Sequence, residues 1–124
     1  MEFIEAPAFT RRVSAYLDDD EYRRLQAELA GNPELGDVMP GTGGFRKVRW
    51  PDPRRGRGRR GGLRIIYFYF ESDQQIWPMT LYGKDEASDL DTKEKKALKA
   101  AIELEVKARA IKRAALRGSS RRTR

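Results

Sequence analysis

The stretch Gly41-Thr42-Gly43-Gly44-Phe45-Arg46-Lys47-Val48-Arg49-Trp50 resumes, after an arginine- and glycine-rich loop, as Gly61-Gly62-Leu63-Arg64-Ile65-Ile66-Tyr67-Phe68-Tyr69-Phe70. These two runs decide how the rest of the chain is arranged. From Leu63 to Phe70 nearly every residue is apolar, and most are branched or aromatic, as in a strand covered on both faces. The earlier run mixes Phe45, Val48 and Trp50 with Arg46, Lys47 and Arg49, which predicts a strand with a basic face and a buried one. The alternation is imperfect, because Lys47 and Arg49 share the parity of Phe45.

The same region holds the chain's surplus charge. Between Phe45 and Arg64 there are nine basic residues against one acid, Asp52, a net +8 in a chain whose total is +7. Everything else sums to about zero, so the charge is a placed feature. Arg64 is the single charge in its strand. A guanidinium held by packing at the mouth of a buried strand can present fixed donors to an anion. With a sequence pI near 9.9, the composition points first to RNA or DNA and second to an acidic protein.

At 124 residues the chain makes one domain. We place it at residues 1–117, with 118–124 as a basic flexible tail. Cysteine and histidine are both absent, which removes disulfides, the usual zinc sites and the Ser-His-Asp and Cys-His forms of catalysis. No metal and no cofactor are expected. Asp85, Glu86, Asp89 and Asp91 look like a metal cluster but fall at a helix start, where acids complement the dipole. Gly56-Arg57-Gly58-Arg59-Arg60-Gly61 matches a dinucleotide fingerprint in letters only, since a strand follows it where a helix is required. The Gly41 to Gly44 set serves backbone turns. The longest apolar run, Ile65 to Phe70, is too short to cross a bilayer, and the first residues lack a signal pattern, so a soluble cytoplasmic protein is expected, with no membrane partner.

Outward from the central strands, Glu2 to Ala6 reads as a short strand and Ala8 to Leu17 as a short helix. Asp18 to Asp20 offer an N-cap for a helix striped by Tyr22, Leu25 and Leu29, stopped at Gly31-Asn32-Pro33. A further strand, Ile76 to Tyr82, is expected to put Trp77, Met79 and Leu81 on one face and Ile76, Thr80 and Tyr82 on the other, with Pro78 marking an edge or a bulge. Asp91-Thr92-Lys93-Glu94 opens a last helix, striped by Ala97, Ala101, Leu104, Ala108, Ile111 and Ala115 and widened by Leu98 and Ile102. The predicted fold is α+β: an antiparallel three- to four-stranded meander packed against N-terminal helices, with a C-terminal helix.

Taken together, Gly41 to Trp50, Gly58 to Tyr67, Leu81-Tyr82-Gly83-Lys84-Asp85-Glu86, Asp89-Leu90 and Asn32 to Val38 resemble the RelE/ParE superfamily of bacterial toxins, specifically its HigB branch. The resemblance runs roughly from Phe3 to Leu104. It implies a small RelE-like fold and a ribosome-dependent endonuclease that cuts messenger RNA, with a cognate antitoxin, commonly a helix-turn-helix DNA-binding protein, as partner. Arg64 matches the family's strand-start arginine that contacts the scissile phosphate. Lys47 and Arg49 match a pair of lysines on the preceding strand of RelE, and Lys84 a cation after the last strand. Asp85 stands where RelE has an arginine, a departure the HigB branch shares, so RelE's acid and base assignments do not transfer intact.

Without metal, histidine or thiol, RNA cleavage needs attack by the substrate's own 2′-hydroxyl on the adjacent phosphate. The residues expected to serve it are Arg64 with Arg46 on the phosphate oxygens, Lys84 or Lys47 as acid or base, and Tyr82 to stack on or orient a base. Arg49, Arg54, Arg55, Arg57, Arg59 and Arg60 would follow the nucleic-acid backbone without reading sequence. The alternative is a ParE-like inhibitor of DNA gyrase with no enzymatic activity.

Overall fold

In the computed structural model, residues 1–52, 62–86 and 90–122 are described, with side chains to Gly118. In chain order the elements are β1 (Glu2–Phe3), α1 (Pro7–Val13), α2 (Asp19–Gly31), β2 (Asp37–Val38), β3 (Arg46–Trp50), β4 (Leu63–Phe70), a 3-10 turn (Glu71–Asp73), β5 (Gln75–Gly83) and α3 (Thr92–Arg122). One sheet of five strands in the order β1-β5-β4-β3-β2 organises them. The expected α+β class holds. The β3-β4-β5 meander is antiparallel, while β1 joins β5 in parallel, so the sheet is mixed.

β4 is central and covered on both sides, as its composition predicts. Leu63, Ile65 and Tyr67 meet Phe9, Tyr16, Leu17, Leu25 and Leu29 from α1, α2 and their junction. Ile66 and Phe70 meet Phe45, Met39, Tyr82 and Ile102 beneath α3. Pro7 starts α1 where a missing N–H is harmless. Asp18 caps α2, its side chain accepting from the Glu21 N–H at 2.8 Å. Asp91 and Glu94 form a reciprocal capping box at the start of α3: the Glu94 N–H donates to Asp91 at 2.8 Å and the Asp91 N–H to Glu94 at 3.0 Å.

Two expectations are corrected. Pro78 does mark a bulge: Ile66 pairs with Thr80 and Tyr67 with Pro78, so Met79 is the extra residue. The parity of β5 flips there, and Leu81 joins Ile76 in the core under α1 and α2, while Trp77, Met79 and Tyr82 face the other core. On α3 the sheet-facing residues are Leu98 and Ile102, joined by Arg109, whereas Leu104 and Ile111 of the expected stripe are 71% and 64% exposed. A sheet below one flank of the helix, not a second helix, sets which stripe is buried. The backbone of α3 is helical through Gly118 to Arg122. One glycine costs about 1 kcal/mol in a helix interior, and the alanine- and arginine-rich run before it favours helix.

The Gly41 to Gly44 loop makes the turn expected of it. Gly43 and Gly44 adopt φ of 78° and 116°, and a Cβ on Gly43 would lie 2.9 Å from the Ile102 side chain. Buried Thr42 closes the loop, donating to the Met39 carbonyl at 2.8 Å and accepting from the Phe45 N–H at 3.1 Å.

Three phenols tie the helices and loops to the sheet. Tyr67 donates to the Pro33 carbonyl at 2.8 Å and accepts from the Gly36 N–H at 2.9 Å. Tyr22 donates to Glu5 at 2.6 Å, and Tyr16 donates to Glu86. Burial, with the neighbouring carboxylates, raises all three above the ordinary tyrosine value of 10.0. The unfolded chain loses these protons near pH ~10 while the folded one retains them. Stability is therefore fully present below that pH and falls as pH rises above it. Thermal melts between pH 8 and 11 should show the fall, and Tyr22→Phe should make it shallower. An unchanged slope in that variant would contradict the assignment.

Candidate nucleic-acid interface at the Arg64 end of the sheet

Register decides which cations can meet. Arg49 pairs with Arg64 across β3 and β4, and Arg64 with Tyr82 across β4 and β5. Residues directly opposite one another share a face, so Arg49, Arg64 and Tyr82 form a row on the α3 side. Lys47 pairs with Ile66 and Ile66 with Thr80, which puts Lys47 on the same face, one step along. Lys84 follows at the same end, its N–H donating to the Gly62 carbonyl at 2.8 Å. The sheet therefore brings Arg49, Lys47, Arg64, Tyr82 and Lys84 to one end, drawn from three strands and the turn after them.

Arg64 is 7% exposed, and its Nε and Nη1 are buried with no hydrogen-bond partner among the described residues. Buried donors without acceptors are rare, because each forfeits about 1–3 kcal/mol. Here a second cation lies directly opposite, and like charges across a strand pair are themselves destabilising. The cost is understandable where an anion completes the pair.

Arg46 does not join this group. By alternation it shares the opposite face with Tyr67, and its guanidinium donates to the Gly36 carbonyl at 2.8 Å and to the Glu34 side chain at 3.1 Å. It is a clip on the segment before β2. Tyr82 is in the expected row but only 6% exposed, so its ring lies within the core beneath α3 and is not offered for stacking on a base. Arg54, Arg55, Arg57, Arg59 and Arg60 lie outside the described residues.

Two acids of the region, Asp52 and Glu86, are placed in ways the sequence does not reveal. Asp52, two residues past Trp50, is 1% exposed. Glu86 was read as a helix-start acid but faces α1: it accepts from Tyr16 and from the Gly83 N–H at 2.8 Å, and pairs with Arg12 at 3.3 Å. Arg12 in turn donates to the Leu81 carbonyl at 3.0 Å and to the Tyr16 hydroxyl at 2.9 Å. This network fixes the turn that carries Lys84. Its only sequence signal is the i, i+4 spacing of Arg12 and Tyr16. Among the described residues no group of acids, cysteines or histidines could hold a metal ion, and no helix is long and apolar enough to cross a membrane. No protein-family model matches the chain.

Proposed function

We propose that this protein is the toxin of a toxin-antitoxin module, an endoribonuclease that cuts messenger RNA on the translating ribosome. The observation that carries the reading is the buried Arg64 guanidinium, its Nε and Nη1 unpartnered among the described residues, in a row of cations at one end of the sheet. Arg64 meets the scissile phosphate with paired donors, and Arg49 and Lys47 add positive charge for the crowded phosphorane formed when the 2′-hydroxyl attacks. Lys84, exposed on its turn, moves a proton to or from the reacting oxygens. Because Nε and Nη1 are closed off from solvent, substrate must part the side chains over them. Such entry needs binding energy from elsewhere, and the ribosome supplies it by presenting the message in one conformation. A cognate antitoxin would restrain the toxin by covering this cationic end.

The test is cleavage of message on purified translating ribosomes by the parent, Lys84→Ala and Arg64→Ala, with free RNA as the comparison. Both variants should lose at least about a hundredfold in rate, and free RNA should be cut poorly by all. Full activity in both would remove this site, and arrest of DNA synthesis with intact messages on induction would favour gyrase inhibition.

Glu86 acts here through Lys84. Glu86→Ala should slow cleavage by about tenfold, yet add little when Lys84 is already alanine, the non-additivity expected of residues acting as one unit. Equal effects in both backgrounds would show a merely structural Glu86.

A further inference from the structure

We infer that the outer side of α3 is a self-recognition surface, on which a second copy of this chain packs its own α3 in the antiparallel sense. Two sets of small or aliphatic residues recur there at every seventh position: Ala101, Ala108 and Ala115, and Leu104, Ile111 and Gly118. Together they make the alternating three- and four-residue spacing of a seam between two helices. Leu104 and Ile111 are 71% and 64% exposed, and Ala108 and Ala115 beside them are exposed as well. The helix is fastened to the sheet from its other side, where Arg109 and Arg113 reach Asp73 at 2.8 Å and 3.6 Å. At about 100° per residue, Leu104 and Ile111 lie about 140° and 160° round the helix from Arg109. The seam therefore faces away from the sheet, and it runs for about 25 Å from Ala101 to Gly118.

A contiguous exposed apolar stripe marks an interaction surface, and the charges beside it select the occupant. In an antiparallel pair the residues of one set meet those of the other. Setting Ala108 against the second copy's Ile111 puts Leu104 against Ala115 and Ala101 against Gly118. The central layers then join one large residue to one small one, which lets the two backbones approach closely. The same register lays Glu105 beside the second copy's Lys112, and two-fold symmetry repeats the pair. Sliding one helix by seven residues in either direction would instead oppose two Glu105 side chains or two Lys112 side chains. Glu105 takes the Arg109 Nε–H on one carboxylate oxygen at 2.7 Å, and its other oxygen serves the lysine. No acid follows Glu105, so a parallel pair would align two cationic ends, whereas an antiparallel pair sets each beside Glu103 and Glu105 of the other copy. An unrelated protein has no reason to repeat this heptad with its charges in register. A second copy does so by identity.

The experiment is sedimentation equilibrium of the full chain from about 1 to 200 μM, the range in which an interface of one helix pair is half-formed. The parent should show a monomer-dimer equilibrium. Leu104→Gln combined with Ile111→Gln, both at exposed positions and both compatible with helix, should weaken association at least about tenfold. Lys112→Glu should do the same, because it sets two carboxylates against each other twice. Circular dichroism at low concentration should show parental helix content in all of them. The register is read by disulfide formation, since the chain has no cysteine of its own. A mixture of Leu104→Cys and Ala115→Cys chains under mild oxidation should crosslink at least about tenfold faster than either chain alone, because like positions lie eleven residues, about 16 Å, apart in this pairing. Arg64→Ala should dimerise as the parent does, so failure of the nucleic-acid reading leaves this result untouched. A parent that stays monomeric throughout would overturn the proposal and leave the stripe to a different protein. So would a dimer that the glutamine variant forms equally well, or crosslinks that form fastest between like positions.

Discussion

On the proposed function, Arg64→Met should slow cleavage on translating ribosomes by about 10²–10³ while leaving the protein at least as stable as the parent. The two effects have one cause. The guanidinium is buried, and its Nε and Nη1 make no hydrogen bond among the described residues. Methionine fills a similar volume, removes the orphaned donors and relieves the repulsion from Arg49 opposite. A gain of about 1–3 kcal/mol is the expected scale. The same substitution removes the paired donors from the phosphate, for which a loss of about 10²–10³ in rate is the usual scale. Arg64→Lys should also fail in cleavage, because an ammonium lacks the planar fork. A melting temperature that drops by several degrees in Arg64→Met would mean that the arginine holds the fold together, and the argument for an anion site would lose its basis.

The second large effect is on stability. Phe45→Ala should cost about 3–5 kcal/mol, a large share of the roughly 5–15 kcal/mol that holds a domain of this size together. Phe45 is fully buried, with Phe68 edge-on at 5.4 Å and Trp77 at 6.4 Å between ring centres. It also joins the Gly41 to Gly44 turn to the core under α3, so little around it can collapse into the space left behind. Thermal and urea unfolding measure the loss. A change below about 1 kcal/mol would show that α3 packs loosely on the sheet and that this core is not a single cooperative unit.

These two residues also show how much was legible beforehand. The identity of Arg64 as a lone charge in an apolar strand is visible in the letters, and so is the parity that sets Lys47 and Arg49 beside Phe45. Arg46 was grouped with them by proximity along the chain, yet alternation sends it to the other face and Glu34 occupies it. Pro78 announced a bulge, but which residue would be extra depends on pairing with β4, so the faces of β5 were misassigned after it. The expected seam of α3 was a valid helical stripe. Its neighbour, however, was one flank of a sheet, and Arg109 stacked on Phe70 took a place that the pattern had given to an alanine or a leucine.

By itself the sequence determined most local features: the strands of the meander, the helices with their N-terminal caps, and that the surplus charge sits between Phe45 and Arg64. These follow from side-chain chemistry and backbone freedom within a few residues. The tertiary structure decided which cations meet, that Tyr82 is enclosed, and that Glu86 braces the turn bearing Lys84. Those outcomes depend on register between strands distant in the chain, where one bulge reverses a face and one ion pair removes an arginine from a site.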